Sequence, residues 1–181
     1  DADAIGAFQT FVRRRLEHIN PYTGRRAVDE PAILAWESGN ELTLLAGNKG
    51  GPPPAQWTRD LAAFVKSIDS NHLFMDGAYG VDPDVLGSAD VDLHSNHYYP
   101  CDSSRLRDDI KLCQAAGKPL VIGEYGWTSA DKVDAFFAAA EAEVVQSVAL
   151  GVIIGGGLTV SKTKSSSSGS SGLVMVLRDS A

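Results

Sequence analysis

The chain has 181 residues, 44 % of them apolar and 22 % charged, and 16 basic against 23 acidic side chains give it a formal net charge of −7. These values are ordinary for about one folded domain, and no apolar run approaches the roughly 20 residues that cross a bilayer, so we expect neither a disordered chain nor a membrane partner. The acidic balance works against binding a polyanion, and the basic cluster Arg13-Arg14-Arg15 lies inside a helical pattern as a solvated face, so we expect no nucleic-acid partner.

Helical and extended patterns alternate along the chain. Behind Asp3, a predicted N-cap, apolar residues recur at steps of three and four up to Ile19, which predicts an amphipathic helix that ends at Asn20-Pro21. The nearly all-apolar run over 32–36 is typical of a strand that is covered on both faces. The elements predicted after it are a helix over 57–68, a strand over 72–78, a short helix over 83–86, a strand over 91–99, a helix over 103–116, a strand over 119–123, a helix over 133–148 and a strand over 152–154.

Strands that alternate with helices predict an α/β fold with a parallel sheet and right-handed crossovers. The pattern contains five strands, whereas a closed eightfold barrel takes about 250 residues. The fold is therefore either an open doubly wound sheet or the C-terminal part of a barrel. The Ser/Gly-rich run over 165–172 has linker composition and cannot pack a core. We predict one domain over 1–158 and a divergent tail over 159–181.

The two cysteines, Cys101 and Cys113, are too few for a disulfide framework or a zinc site. If residues 103–116 form a helix, Cys113 lies roughly 15 Å along its axis. A disulfide needs α-carbons within about 7 Å of each other, so we expect no bridge between the two cysteines. We also expect no metal and no cofactor.

Two glutamates follow predicted strands at the same edge of the sheet. Glu41 comes just after the first strand and Glu124 just after the fourth, with aromatic residues close by. The carboxyl ends of the strands form the functional edge of a parallel α/β sheet. Two carboxylates there match a glycosidase, which needs one acid to protonate the leaving oxygen and one carboxylate to attack the anomeric carbon. Either glutamate alone is equally well explained as a solvated loop residue.

Three motifs resemble strands of glycoside hydrolase family 5, and most closely those of its endo-β-1,4-mannanase branch. EPAILAWESGNEL over 30–42 resembles the fourth strand with its Asn-Glu pair, VDLHSNHYYP over 91–100 resembles the sixth with its His-x-Tyr element, and KPLVIGEYG over 118–126 resembles the seventh, which carries the nucleophile. The resemblance covers roughly residues 3–154. It implies a (β/α)8 barrel of the TIM type that is incomplete, with about strands 4–8 present.

The resemblance implies roles for the residues that match these motifs. Glu41 would be the general acid/base and Glu124 the nucleophile of a retaining double displacement. Asn40 would hydrogen-bond the 2-hydroxyl of the sugar, a contact that strengthens toward an oxocarbenium-like transition state. A retaining site predicts carboxyl groups about 5 Å apart.

Three aromatic or imidazole side chains would support the carboxylates. His97 and Tyr99 share one strand face, because side chains alternate with a period of two, so both can point at the carboxylates. The resemblance implies that Tyr99 orients and partly stabilises Glu124. Trp127 is a candidate for stacking on a sugar ring, although a Trp at a strand end is often only part of the core. Without the motif, His97 and Tyr99 would be interpreted as a satisfied histidine and a packed aromatic.

Three further polar residues favour structural interpretations. Glu37 has the same parity as Glu41 and is expected to point into the barrel, where a carboxylate needs a positive partner. His94 lies on the strand face opposite to His97, and we expect it to be hydrogen-bonded within the structure. Asp92 is expected to accept a hydrogen bond at the start of a strand.

The resemblance is incomplete. The family's first three strands have no counterpart, and neither does the arginine that would neighbour the nucleophile. The family also implies a Trp at the end of the eighth strand, where this chain has Gly155-Gly156-Gly157-Leu158. We therefore interpret the chain as a fragment or truncated product of a secreted mannanase-like enzyme, without a signal peptide of its own. The open strand edges at 32–36 and 152–154 predict self-association.

Three functions remain open on the sequence. The first is a retaining endo-β-1,4-mannanase that acts on β-mannan or a related plant polysaccharide. The second is a β-1,4-glucanase or another glycosidase of the same clan, because the carboxylate pair does not choose between equatorial and axial 2-hydroxyls. The third is an inactive chain that at most binds sugar weakly.

Overall fold

The computed structural model describes residues 1–42, 53–145 and 152–154, and it gives the backbone alone for 144–145 and 152–154. The α-helices are α1 (Ala2–Leu16), α2 (Ala55–Lys66), α3 (Pro83–Leu86), α4 (Ser103–Ala116) and α5 (Ala130–Val145). The strands are β1 (Ala35–Glu37), β2 (Leu73–Asp76), β3 (Leu93–Tyr98), β4 (Leu120–Tyr125) and β5 (Val152–Ile154). A single 3₁₀ turn, Ala27–Asp29, lies between α1 and β1. Within these ranges no helix has the length and apolar character that crossing a bilayer requires.

The strands form one parallel sheet whose spatial order follows the chain, β1-β2-β3-β4-β5. Parallel neighbours cannot be joined by a tight turn, so helices α2 to α5 lie in the crossovers between them. The predicted parallel α/β sheet is therefore confirmed. The carboxyl ends of all its strands lie at one edge, which is where the candidate site residues were expected.

Most predicted elements are present, and three of them, α3, α4 and β5, have the predicted bounds. The first strand is shorter than the predicted 32–36 and begins only at Ala35. A turn precedes it, in which the backbone N–H of Ile33 donates to the carbonyl of Glu30 at 3.1 Å, and Leu34 is 54 % exposed. Ala35 and Trp36, at the end of the run, are only partly buried, so the prediction of a strand covered on both faces is wrong. Val148 and the tail predicted over 159–181 lie outside the described residues.

Helix α1 differs from its prediction in its start, its end and its packing. It ends at Leu16, where Glu17 caps it, before the predicted stop at Asn20-Pro21. It begins at Ala2, because the Asp1 carboxylate caps it by accepting from the backbone N–H of Asp3 at 3.0 Å. Leu16 is its buried side chain, and the arginines at 13–15 are exposed, as predicted. The rest of the apolar stripe is largely exposed, with relative exposures of 47 % for Ile5, 38 % for Phe8 and 59 % for Phe11.

The core lies between the sheet and its helices in two clusters. The first joins β3 and β4 to α4 and α5 around Tyr98, whose ring centroid lies 5.0 Å from that of Phe136. The second joins α1 and α2 to β2 around Phe74. Each large side chain buried here contributes roughly 1.5–3 kcal/mol, which holds the helices against one face of the sheet. Cys113 belongs to the first cluster and Cys101 packs at its margin; both are free, as predicted.

Candidate active site

Close backbone contact with the residues after β2 holds the segment that carries Glu41. The backbone N–H of Leu42 donates to the carbonyl of Gly77 at 3.1 Å, and the N–H of Gly77 donates to Ser38 Oγ at 2.9 Å. A β-carbon at Gly77 would collide with the carbonyl oxygen of Gly39. Position 77 therefore needs glycine, because only glycine allows the two chain segments to approach this closely.

Asn40 and Glu41 lie at the end of this segment. Asn40 is exposed, whereas Glu41 is partly buried. Glu41 has a φ of +51°, in the left-handed region, which costs a non-glycine residue about 1–3 kcal/mol. Such strain persists only where the surrounding structure imposes it, and here the contacts of Leu42 and Gly77 do so.

A β-bulge sets the relative position of β3 and β4 at their carboxyl ends. Asn96 pairs with Ile122, but His97 pairs with Glu124, so Gly123 is the extra residue. A bulge re-aims the side chains that follow it. A β-carbon at Gly123 would lie 2.8 Å from His97 Nε2, so the glycine lets the imidazole lie directly against β4. Glu124 and His97 consequently stand side by side.

Glu41, His97 and Glu124 meet at the strand ends. His97 Nδ1 lies 2.9 Å from Glu41 Oε1 and 3.7 Å from Glu124 Oε2. One oxygen of each glutamate and a ring nitrogen of His97 all lie within 4.8 Å of one another. The side chain of His97 is 7 % exposed, that of Glu41 19 % and that of Glu124 44 %. The two predicted carboxylates are thus brought together around a buried imidazole, with one side open to solvent.

Tyr99 and Trp127 flank this group. The Tyr99 hydroxyl donates to Glu124 Oε2 at 2.9 Å. Partial burial and this hydrogen bond raise the pKa of Tyr99, so the hydroxyl keeps its proton at neutral pH. The Trp127 and Tyr99 ring centroids lie 4.7 Å apart, and Trp127 is 84 % exposed. An open aromatic surface therefore adjoins the residue that contacts Glu124.

Glu37 lies on the same face of the sheet, as its parity predicted. Its carboxylate accepts a hydrogen bond from Ser95 and interacts electrostatically with His97. These two contacts stand where a positively charged partner was expected. The side chain keeps contact with solvent, yet desolvation by the surrounding protein atoms raises its pKa. The negative charges of Asp76 and Glu124 raise this pKa further, while His97 and Ser95 oppose the shift.

The trio of Glu41, His97 and Glu124 also has the composition of a metal site. Each of the three residues offers one ligand atom. The three are far apart in the sequence, so their spacing along the chain could not predict that they meet. The 2.9 Å hydrogen-bond distance between His97 and Glu41 accounts for their approach without a cation. Two carboxylates near an imidazole also match the needs of glycoside hydrolysis.

Two structural interpretations of polar residues have different outcomes. The prediction for Asp92 is confirmed, since its Oδ2 accepts from the backbone N–H of Phe74 at 2.8 Å and lies 2.6 Å from Lys66 Nζ. The prediction for His94 is wrong, because within the described ranges neither of its ring nitrogens has a hydrogen-bond partner. Asp76 pairs with His94 across β2 and β3, but its carboxylate stays 3.8 Å from Nδ1.

The sequence did not predict a polar hydrogen-bond network between β3 and α4. Asn96 Nδ2 donates to Asp109 Oδ2 at 2.6 Å, and the Tyr98 hydroxyl donates to the same oxygen at 2.7 Å. Arg105 Nη2 donates to Asn96 Oδ1 at 3.2 Å. A signal was present, because four consecutive polar residues, 94–97, occupy a strand whose six residues are all buried.

Comparisons with known sequences point to one family. A family model described as "GH family 5 beta-mannosidase-like" matches residues 1–101. Mannan endo-1,4-beta-mannosidase 7 of Oryza sativa subsp. japonica is 31 % identical over 157 residues, which cover 66 % of this chain and 41 % of that protein. Mannan endo-1,4-beta-mannosidase F of Aspergillus clavatus is 30 % identical over 128 residues, covering 54 % of this chain and 28 % of that protein. The chain thus spans less than half the length of these relatives.

Solved structures show the same fold. The endo-1,4-beta-mannanase of Rhizomucor miehei superposes with a TM-score of 0.70 at 21 % identity, covering 86 % of this chain and 53 % of that one. The endo-beta-1,4-mannanase of Thermotoga petrophila also gives a TM-score of 0.70 at 21 % identity, with 90 % of this chain and 43 % of that one covered. These likenesses confirm the predicted α/β barrel fold, of which the chain corresponds to about half.

Proposed function

Because the chain belongs to glycoside hydrolase family 5, in its β-mannosidase-like group, we propose that its strand ends carry the catalytic pair of a retaining endo-β-1,4-mannanase. One observation carries this proposal: oxygens of Glu41 and Glu124 lie within 4.8 Å of each other at the carboxyl ends of β1 and β4. Retaining glycosidases hold their carboxyl groups about 5–5.5 Å apart, whereas inverting ones need about 6.5–9.5 Å to admit a water.

Glu124 is the nucleophile in this proposal. Its carboxylate attacks the anomeric carbon as the glycosidic bond breaks, which leaves a covalent glycosyl-enzyme. The Tyr99 hydroxyl donates to Oε2 of this carboxylate at 2.9 Å and so restricts its orientation. Its larger exposure, 44 % of the side chain, gives a sugar access to it.

Glu41 is the general acid and then the general base. It protonates the departing oxygen in the first step and takes a proton from the attacking water in the second. His97 Nδ1 lies 2.9 Å from Oε1 and holds this carboxyl group, whereas Tyr99 contacts that of Glu124. This division gives each carboxylate its own supporting side chain.

The substrate side of the proposal uses the exposed residues. Asn40 would hydrogen-bond the sugar 2-hydroxyl beside Glu41, and Trp127 would stack on a sugar ring through its open face. The relatives are mannan endo-1,4-beta-mannosidases, which supports β-mannan as the polysaccharide. A polymeric substrate also implies action outside the cell, because a polysaccharide does not cross a membrane.

The test is covalent trapping on the chain fused to the first three βα units of a related mannanase, and the same fusion is the background for every comparison of variants by labelling or turnover. A 2-fluoro-mannosyl reagent should label Glu124, located by peptide mass spectrometry, and Glu124→Ala should abolish the labelling. Glu41→Gln should slow hydrolysis of mannan more than that of an aryl mannoside with a good leaving group, since only the former needs acid assistance. Parallel assays on mannan and carboxymethyl-cellulose separate a mannanase from a glucanase.

Glu37→Gln is the matched control, because Glu37 is a carboxylate on the same sheet face that is not a member of the pair. It should still be labelled at Glu124. Labelling at Glu37 or Glu41 instead would overturn the assignment of roles. Turnover by the fusion that does not exceed that of its Glu124→Ala variant would refute the proposed hydrolase activity.

A further inference from the structure

His97 occupies its place because of groups on the far side of the sheet. Its backbone N–H donates to Asn96 Oδ1 at 2.8 Å, next to the bulge that sets β3 against β4. At a bulge the ladder of backbone hydrogen bonds is locally disrupted. A buried N–H without a partner is costly, and here the side chain of Asn96 supplies the acceptor.

Contacts with Asp109 and Arg105 fix the orientation of the Asn96 side-chain amide. Its Nδ2 donates to Asp109 Oδ2 on α4 at 2.6 Å, and Arg105 Nη2 donates to its Oδ1 at 3.2 Å. Asn96 is fully buried and Asp109 nearly so. The two contacts determine which end of the amide faces the His97 backbone. If the amide were flipped, its N–H groups would face the Arg105 donor and its oxygen would face the Asp109 carboxylate, and neither pair can form a hydrogen bond.

The imidazole is the other end of this connection. His97 Nδ1 lies 2.9 Å from Glu41 Oε1 and 3.7 Å from Glu124 Oε2, with Nε2 beside Gly123 on β4. Little space is left for a different rotamer, so a shift of the His97 backbone moves the imidazole relative to both carboxylates. The polar chain from α4 to the strand ends is therefore continuous: Asp109, Asn96, His97, then Glu41 and Glu124.

We propose that Asn96, oriented by Asp109, is a positioning residue that fixes the bulge and thereby holds the His97 imidazole between Glu41 and Glu124. The catalytic consequence rests on the proposed function, whereas the placement of His97 does not. A misplacement of about 1 Å in a catalytic group can cost roughly 100-fold in rate. Asn96 touches neither carboxylate and acts only through His97.

The test measures where His97 is held, without requiring turnover. Diethylpyrocarbonate modifies unprotonated imidazoles, and peptide mass spectrometry reads each of the four histidines separately. Exposed His18 serves as the internal standard, while buried His72 and His94 report loss of the fold. In Asn96→Leu, the rate at His97 relative to His18 should rise about tenfold, the factor that corresponds to losing roughly one hydrogen bond, with His72 and His94 unchanged.

Asp109 gives a matched pair of variants in case Asn96→Leu fails to fold. Both donors use a single oxygen, Oδ2, so the amide oxygen of Asp109→Asn can still accept from Asn96 and should leave His97 protected. Asp109→Leu should expose His97 as Asn96→Leu does. Tyr98→Phe removes a hydroxyl bonded to the same Oδ2 but spares the link from Asp109 through Asn96 to His97, so His97 should stay protected.

Two results would overturn the proposal. One is unchanged His97 reactivity in both leucine variants, and the other is an equal rise at His72, His94 and His97, which would mean that Asn96 and Asp109 only stabilise the fold. Labelling of Glu124 by the 2-fluoro-mannosyl reagent is a separate readout, expected to slow up to about 100-fold in Asn96→Leu. If the fusion to the first three βα units is not labelled even without substitutions, the proposed function fails, while the histidine result still decides this inference.

Discussion

The Tyr99 hydroxyl contacts Glu124 directly, because it donates a hydrogen bond to Oε2 at 2.9 Å. A hydrogen bond to a charged group contributes about 1.5–3 kcal/mol. Tyr99→Phe should therefore lower kcat/KM for an aryl β-mannoside about 10- to 100-fold. Steady-state kinetics on the purified variant provide the measurement.

Tyr22→Phe is the control for this change, since Tyr22 is 95 % exposed on a turn between α1 and β1. It should retain the kinetics of the unaltered chain. Equal activity of the two phenylalanine variants would show that Glu124 does not depend on the Tyr99 hydroxyl.

Asp69 predicts a pH dependence of stability. Burial raises its pKa, but hydrogen bonds from the Trp36 indole, from His72 and from the backbone N–H groups of Asn71 and His72 outweigh it, so the pKa lies below its ordinary value. A lowered pKa in the folded state stabilises the protein above the unfolded pKa of about 3.9, and this stabilisation is lost as pH falls through the folded pKa.

Asp69→Asn should lower the free energy of unfolding at pH 7 by about 1–3 kcal/mol, because it removes the charge that these donors stabilise. The difference from the unaltered chain should shrink below about pH 4. Thermal unfolding between pH 3 and 7 tests this, with the exposed Asp108→Asn as control. A difference that is constant across this range would contradict the assignment.

At the scale of elements, the approach of β1 to β2 determines where Glu41 lies. A β-carbon at Gly77 would collide with the carbonyl oxygen of Gly39, and the Gly77 backbone also bonds Ser38 and Leu42. Gly77→Ala should push the 39–42 segment away from β2 and cost about 2–4 kcal/mol of stability, a range typical of overpacking at the backbone. It should also lower activity more than stability alone explains.

The measurement is urea unfolding together with the rate of Glu124 labelling. Gly87→Ala is the comparison, because a β-carbon at Gly87 meets nothing within 4 Å and the residue has an ordinary negative φ. Unaltered labelling in Gly77→Ala would mean that the close approach serves packing alone.

The elements that the sequence predicted well are those whose signals are local. Helix α4 begins behind Asp102, a side-chain cap, and ends at Gly117, so its bounds were readable. The contact between Glu41 and Glu124 required the family motifs, because their separation of 83 residues leaves no local signal. The bulge and the bond from Asn96 to Asp109 depend on register and on helix packing, which a single sequence does not encode locally. The bonding of His94 was mispredicted for the same reason.

At the scale of the whole molecule, the described sheet has an edge at β1 and an apolar stripe on α1. Ile5, Phe8 and Phe11 expose apolar surface on one helix, and such patches promote association. We predict that the 181-residue chain expressed by itself is dimeric or aggregated and hydrolyses mannan negligibly. Light scattering after size-exclusion chromatography, with a mannan assay, measures both.

Two variants and one fusion sharpen this prediction. Phe11→Glu should reduce association, whereas Arg14→Glu, at an exposed polar position of the same helix, should not. Fusion to the first three βα units of a related mannanase should raise activity, because packed neighbours hold catalytic groups within about 0.5 Å. A monodisperse monomer that cleaves mannan at about 1–10³ per second would refute the prediction.

Because Trp127 is exposed, its fluorescence can report on binding at the site. The chain has three tryptophans, of which Trp36 and Trp57 are partly buried while Trp127 is 84 % exposed. Iodide in solution should therefore quench the emission of Trp127 first. A saccharide stacked on the indole would shield it, so the quenching constant reports occupancy beside Tyr99 without any chemical step. The same emission then follows binding in variants whose carboxylates no longer react.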